Sequence, residues 1–124
     1  MKPGDTFRPA DPSVDIHLWV IISDPDQDPN RVLIVSLTTF KPKKESVCLL
    51  HPGDHPFIRH PTCVAYNLAN APSLAQLEGA RASGRLIPDI PVSEAVLRRI
   101  REGAALSTKL PIEYGELLDA QGLI

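Results

Sequence analysis

The sequence predicts an α+β protein, mainly β, in which a small curved antiparallel sheet or barrel is covered by C-terminal helices. The apolar segments before residue 70 are short, rich in β-branched residues and separated by polar loops, which is typical of strands. Helical spacing of apolar residues begins only after residue 70. Thirteen prolines among 124 residues divide the chain into short pieces, which suits strands and loops better than long helices. Strands followed by helices is the order of an α+β domain.

Four segments are predicted to be strands, at residues 16–23, 31–40, 47–50 and 62–68. The first two are joined by the turn-forming stretch DPDQDPN, which makes them an antiparallel pair. The last strand alternates, so Val64 and Tyr66 share one face, while Cys63, Ala65 and Asn67 share the other.

Three helices are expected after residue 70. Ser73 is a candidate N-cap for a helix that ends near Gly84, and Ser93 is a candidate N-cap for the next. The second helix has an apolar stripe formed by Val96, Leu97, Ile100 and Ala104. Pro111 begins a last short helix that Gly122 ends. The stretch RLIPDIP between the first two helices is expected to be extended.

The chain divides into an extended N-terminal arm at residues 1–15, which is polar and proline-rich, and one globular domain at residues 16–124. Within that domain, residues 16–70 form a strand-rich barrel and residues 71–124 a helix-rich part. A hydrophobic fraction of 43%, a charged fraction of 23% and a net charge of -2 are those of an ordinary soluble domain. The balance argues against a generally basic nucleic-acid surface, although a local one remains open.

No apolar run approaches the roughly 20 residues of a membrane span, and the N-terminal stretch has no apolar signal core. We therefore predict a cytoplasmic protein with no membrane partner. Its two cysteines are then expected to be free thiols.

Three of the four histidines lie in the ten-residue stretch HPGDHPFIRH, residues 51–60, and three interpretations of it are open. The spacing of Cys48, His51, His55, His60 and Cys63 allows a zinc-stabilised domain. Both cysteines lie inside apolar segments, however, which is typical of buried thiols and favours no metal. The plainest interpretation is a connector stiffened by three prolines and anchored by Phe57 and Ile58.

The third interpretation is catalytic. Cleavage of RNA by its own 2′-hydroxyl requires a base, an acid and a cation beside the phosphate. Histidine suits the first two tasks at neutral pH, and the planar fork of arginine matches a phosphate. His55, Arg59 and His60 offer all three from one loop, with Thr38, Thr39 and Tyr66 as hydroxyl donors.

The element order and two short motifs resemble the PemK/MazF family, which are toxins of toxin–antitoxin modules. The motifs are a strand ending in Asp24-Pro25 and an apolar strand ending in Leu37-Thr38-Thr39. The resemblance implies an SH3-like barrel, cleavage of single-stranded RNA, a homodimer and an antitoxin partner. It also implies a hydroxyl near the scissile phosphate from Thr38 or Thr39. Where the family carries an Arg and an Asp on a later strand, this chain has Ala65 and Asn67.

The predicted function is therefore that of a toxin-like, metal-independent endoribonuclease without a cofactor. The alternative is a non-catalytic module that binds RNA or protein. The candidate catalytic residues are His55, Arg59, His60, Thr38 and Thr39. The candidate substrate-binding residues are Arg31, Lys43, Lys44, His51, Tyr66 and Asn67.

Overall fold

The chain folds around one six-stranded antiparallel sheet in a computed structural model that describes residues 1–124. The strands are β1 (Thr6–Pro9), β2 (Leu18–Ile21), β3 (Ile34–Thr39), β4 (Leu49–Leu50), β5 (Thr62–Asn70) and β6 (Leu86–Asp89). The helices are α1 (Leu74–Ala82), α2 (Glu94–Leu106) and α3 (Ile112–Ala120). The order across the sheet is β4-β5-β3-β2-β1-β6. The predicted α+β class is confirmed, with an open sheet whose edges are β4 and β6.

The N-terminal residues do not form an extended arm separate from the globular domain, and that expectation is corrected. Thr6–Pro9 is β1, which pairs with β2 on one side and with β6 on the other. Thr6 and Phe7 are buried, and the Thr6 hydroxyl donates to the carbonyl of Ile90. The polar, proline-rich composition did not indicate a strand because β1 is only four residues long, and one of its two partners, β6, lies far away in the chain.

The inner face of the sheet carries the main hydrophobic core. Alternate residues of β2, β3 and β5, among them Val20, Val35 and Tyr66, pack there against α2 and α3. The apolar stripe predicted for α2 is the buried one, and the Ser93 hydroxyl caps that helix by accepting from the amide of Val96 at 3.2 Å. None of the three helices has the length and apolar character needed to cross a membrane.

The outer face of the sheet is covered over only part of its width. Leu77 of α1 packs there with outward residues of β1, β2 and β3, namely Phe7, Ile21 and Ile34. The Ser73 side chain and Gln76 form a reciprocal capping box at the start of α1, as expected of a Ser with Gln three residues later. Farther along β3 the outward residues are Ser36 and Thr38, and Ala65 of the neighbouring strand β5 pairs with Ser36; no helix covers these three residues. This uncovered part of the sheet holds the candidate site.

Candidate functional site

The uncovered part of the outer face forms a cleft of about 420 Å³, here called the lysine cleft. Ser36 of β3 and Cys63 and Ala65 of β5 line it from the sheet, and all three are buried. Three cations, from Lys43, Lys44 and Lys109, line it as well, with Glu45 as the only carboxylate. The lining therefore has a positive balance that favours an anionic ligand.

A bulge in β5 gives this cleft two further side chains. Ser36 pairs with Ala65, but Ile34 pairs with Asn70, so the intervening residues of β5 bow out of the ladder. Asn67 and Leu68 lie in this bulge and line the lysine cleft. Bulges commonly re-aim side chains next to functional sites, and this one places an exposed amide beside the lysines.

Glu45 holds the two loops that carry the lysines together. Its carboxylate accepts from the Ser107 hydroxyl at 2.6 Å and from the Thr108 amide at 3.0 Å. The loop after β3 is thereby joined to the loop after α2, which brings Lys109 to the same cleft as Lys44. Because both carboxylate oxygens of Glu45 accept these hydrogen bonds, its negative charge is partly compensated within the loops.

A second cleft of about 190 Å³, here called the loop cleft, lies beside the first. Thr39, Phe57, Arg59 and His60 line it, so the end of β3 meets the 51–60 loop there. Two residues, His17 and Thr38, line both clefts. The two clefts are therefore adjacent parts of one surface, and His17 and Thr38 mark their junction.

His17 is oriented by Asp15. The imidazole Nδ1 lies 2.6 Å from Asp15 Oδ1, and Trp19 Nε1 donates to Asp15 Oδ2 at 2.8 Å. Burial works to raise the pKa of Asp15, but the hydrogen bonds from His17 and Trp19 outweigh it and lower that pKa below its ordinary value. An ionised carboxylate only accepts, so Nδ1 is the protonated nitrogen of neutral His17 and Nε2 is left free to take a proton.

The two threonines at the end of β3 each contact one ionisable side chain. Lys44 Nζ donates to Thr38 Oγ1 at 2.9 Å, which holds the ammonium group near the junction of the clefts. Thr39 Oγ1 lies 2.7 Å from His60 Nε2. Of the residues predicted from the sequence, Thr38, Thr39, Arg59, His60, Lys43, Lys44 and Asn67 thus come together around the two clefts.

His55 lies apart from this group. It is buried, its Nε2 donates to the carbonyl of Ile90, and its Nδ1 accepts from the amide of Phe57 at 3.0 Å. Both ring nitrogens are therefore engaged with the backbone. The side chain joins the 51–60 loop to the segment after β6 instead of lining either cleft, so its position is that of a structural residue.

Three predicted substrate-binding residues also lie outside the clefts. Arg31 pairs with Asp28 at 3.1 Å in the loop between β2 and β3. His51 is exposed and lines neither cleft. Tyr66 is buried on the inner face, where its hydroxyl donates to the carbonyl of Ile100 at 2.6 Å and burial raises its pKa. Tyr66 is therefore inaccessible to a ligand.

The two cysteines are free and buried. Cys48 belongs to the inner core, and burial raises its pKa to about 11. Cys63 lies on the opposite face, where burial raises its pKa and the charge of Lys44 partly offsets the shift. Because the cysteines are on different faces, they cannot ligate one ion together. No group of three or more His, Cys, Asp or Glu residues is placed to hold a metal ion.

Sequence reasoning missed Asp15, His17 and Lys109. The signal for the first two was present, since Asp15, His17 and Trp19 alternate and therefore share one face of an extended segment. Leu18 pairs with Leu37 and Trp19 with Ser36, so the same register places His17 opposite Thr38. No comparable signal existed for Lys109, because only the Glu45 contacts bring its loop to the cleft.

Comparison of the chain with protein-family models, with curated proteins and with solved structures finds no match. The function is therefore inferred from the geometry of the site.

Proposed function

We propose that the protein is a metal-independent endoribonuclease that cleaves single-stranded RNA at the junction of the two clefts. The observation that carries this proposal is the pairing of His17 and His60 in the loop cleft, with Thr38 and Arg59 in the same lining. Two imidazoles beside a guanidinium supply a base, an acid and a phosphate-binding cation. His17 takes the place that the sequence alone had suggested for His55.

The proposed step is transphosphorylation. Nε2 of His17 removes the proton of the 2′-hydroxyl, and the 2′-oxygen forms a bond to phosphorus. The bond from phosphorus to the 5′-oxygen breaks, and the protonated ring of His60 gives its proton to that oxygen. The products are a 2′,3′-cyclic phosphate and a 5′-hydroxyl end, so no electron donor or acceptor is required.

The cations at the junction stabilise the charge that develops on the phosphorane. Lys44 is held there by its hydrogen bond to Thr38, and Arg59 lines the same loop cleft. A cation held in place before the reaction, as Lys44 is, stabilises a transition state without further reorganisation. Lys43, Lys109 and Asn67 lie farther along the lysine cleft, where they bind the neighbouring phosphates and a base of the strand.

The biological role that we propose is that of a PemK/MazF-like toxin, with an antitoxin partner, a homodimeric state and a cytoplasmic location. The support is the position of the site at the end of the strand Leu37-Thr38-Thr39, one of the two motifs on which, with the element order, the resemblance rests. Ala65, which takes the place of the family's Arg, lies in the lysine cleft together with Lys44. In this proposal Lys44 and Arg59 supply the positive charge that Ala65 lacks.

Purified protein in EDTA, incubated with single-stranded RNA, tests the activity. We expect cyclic-phosphate and 5′-hydroxyl ends, and no cleavage of the all-deoxy oligonucleotide, which lacks the nucleophile. His60→Ala is expected to abolish cleavage. The matched control is His51→Ala, which alters the same loop outside both clefts and should leave the rate unchanged.

Intact RNA after incubation with folded wild-type protein would refute the nuclease. If that protein still binds RNA, the non-catalytic binding module becomes the better description. The toxin role is tested separately by induced expression, where growth arrest by the wild type and not by His60→Ala is the expected result. Equal harm from both would detach toxicity from this site.

A further inference from the structure

We propose that Phe57 and Ile16 form a subsite that binds a nucleobase of the RNA in the loop cleft. This proposal rests on the proposed function. Both side chains line the loop cleft beside Arg59 and His60. Phe57 is 39% exposed and Ile16 68% exposed, although both are large and apolar. An exposed aromatic ring next to cationic side chains is the usual platform for an unpaired base.

The platform is held rigidly from below. The Phe57 amide donates to His55 Nδ1, and the other ring nitrogen of His55 donates to the carbonyl of Ile90. The next residue, Ile58, is buried in the inner core, and its amide donates to the carbonyl of His55 at 2.9 Å. A ring presented by an ordered loop loses little conformational entropy when a base stacks on it. This gives His55 a positioning role in place of an acid–base one.

The two clefts differ in which part of the substrate they can contact. Phe57 is an aromatic ring in the loop cleft, whereas no Phe, Tyr or Trp lines the lysine cleft. The clefts meet at His17 and Thr38, where the reacting phosphate is proposed to lie. Base contact is therefore concentrated on one side of that phosphate, and backbone charge is neutralised on the other.

A stacking platform gives a graded preference. Every base has a π-face, so stacking tolerates sequence and favours the larger rings of purines. We therefore infer that the protein prefers a purine at one position adjacent to the cleaved bond and is nearly indifferent to the bases that lie over the lysines.

The test uses wild-type protein and a single-stranded 2′-O-methyl RNA of about ten nucleotides, which binds in the groove but cannot be cleaved. Bases are removed one position at a time, and affinity is measured by fluorescence anisotropy. One abasic position should weaken binding by about 5- to 150-fold, the range for loss of one base–aromatic stack.

Phe57→Ala should weaken binding of the intact oligonucleotide by a similar factor and remove the sensitivity to that abasic position. Phe57→Tyr, which keeps the ring, should restore both. The matched control is Leu106→Ala, which truncates an exposed apolar side chain outside both clefts and should leave the affinity and the abasic profile unchanged. The circular dichroism spectrum of each variant establishes that it is folded.

The inference is overturned if Phe57→Ala keeps the wild-type affinity or the wild-type abasic profile. Failure of the proposed function gives a different result. If wild-type protein shows the Phe57-dependent profile but leaves ordinary RNA intact, the subsite stands and the nuclease fails. If RNA is cleaved without any Phe57 dependence, only the subsite fails. If no RNA binds, both fail.

Discussion

The outer face of the sheet is divided between an apolar half, covered by α1, and a polar half that is open as the lysine cleft. Strand β3 contributes to both halves. In β3 the outward residue is Ile34 in the covered half and Ser36, then Thr38, in the open half. The inward residues Val35 and Leu37 stay apolar throughout. A change in the outward positions alone therefore decides whether a helix packs on the sheet or a cleft remains.

Asp15 lies at the border of the two halves and contacts both. Trp19, which packs against the apolar cluster under α1, donates to one carboxylate oxygen, and His17 of the open half contacts the other. Trp19 of the covered half thus helps to hold Asp15, which orients the His17 side chain of the open half. Stability and chemistry should accordingly be separable by substitution, except at this border.

The largest difference between the effect on activity and the effect on stability is expected for His17→Asn. This change removes the proposed base, so RNA cleavage should fall about 10²- to 10⁴-fold, the usual contribution of a general base. Because His17 is partly exposed and its main side-chain contact is the hydrogen bond to Asp15, the free energy of unfolding in urea should fall by no more than the ~1.5 kcal/mol of that bond. His51→Asn is the control. A variant that is inactive only because it is unfolded would contradict the separation.

The converse separation is expected for Leu77→Ala in the covered half. Leu77 is 4% exposed against Phe7, Ile21 and Ile34, so truncation should lower the free energy of unfolding by about 2–5 kcal/mol. Cleavage per folded molecule should be unchanged. Leu106→Ala makes the same truncation at an exposed helix position and should cost no more than about 0.5 kcal/mol. Equal effects of the two changes would mean that α1 contributes no buried contact.

The reactivities of the two thiols differ between the inner face, which holds Cys48, and the lysine cleft, which Cys63 lines. Raising the pKa of Cys48 from 9.0 to about 11 reduces its thiolate about a hundredfold at pH 8, and the thiolate is the reactive form. Burial also raises the pKa of Cys63, but the charge of Lys44 beside it in the lysine cleft partly offsets that rise. In the folded protein, iodoacetamide should label Cys63 before Cys48, as followed by mass spectrometry of peptides.

Lys44→Met should slow labelling of Cys63 and leave Cys48 as it was. In urea both cysteines should react alike, which provides the control for intrinsic reactivity. Faster labelling of Cys48 than of Cys63 in the folded protein would contradict the assignment of Cys63 to the lysine cleft.

The smallest effect is expected at the border, for Asp15→Asn. Loss of the charged acceptor should lower the cleavage rate roughly tenfold, in line with the ~1.5 kcal/mol of a weak charged hydrogen bond. Because folding lowers the pKa of Asp15, its stabilising contribution is present above the ordinary carboxyl range and is lost as the pH falls through the folded value.

The difference in unfolding free energy between wild type and Asp15→Asn should therefore be present at pH 7 and shrink in acid. Urea denaturation at several pH values measures it. A difference that is independent of pH would show that the carboxylate charge is not what stabilises the border.

Local chemistry made much of the fold predictable. Ser73 and Ser93 cap the helices that their positions indicate, and the alternation of Val64 and Tyr66 against Cys63 and Ala65 sorts β5 correctly between its two faces. The N-terminal strand was not predictable in this way, because a four-residue segment has no periodicity of its own. Its strand character comes from pairing with the neighbouring strand β2 and with β6, which is distant in the chain.

Part of the candidate site was also predictable, because residue type alone identifies side chains suited to acid–base chemistry and phosphate binding. Thr38, Thr39, Arg59 and His60 were identified by residue type and lie in the loop cleft. His55 was equally plausible by type, but its ring is directed to the backbone of Ile90. Type and spacing within a loop do not specify which side of the loop faces the sheet.

The sequence by itself determined most of the strand and helix segments after residue 15, the caps of α1 and α2 and the polarity of each face, because these depend on neighbours a few residues apart. The tertiary structure alone decided that His17 and His60 line the same cleft, that Lys109 joins Lys44 and that Tyr66 is inaccessible. Those contacts depend on strand register, on the bulge in β5 and on where α1 stops covering the sheet. Each is set by packing between segments far apart in the chain, which no local pattern records.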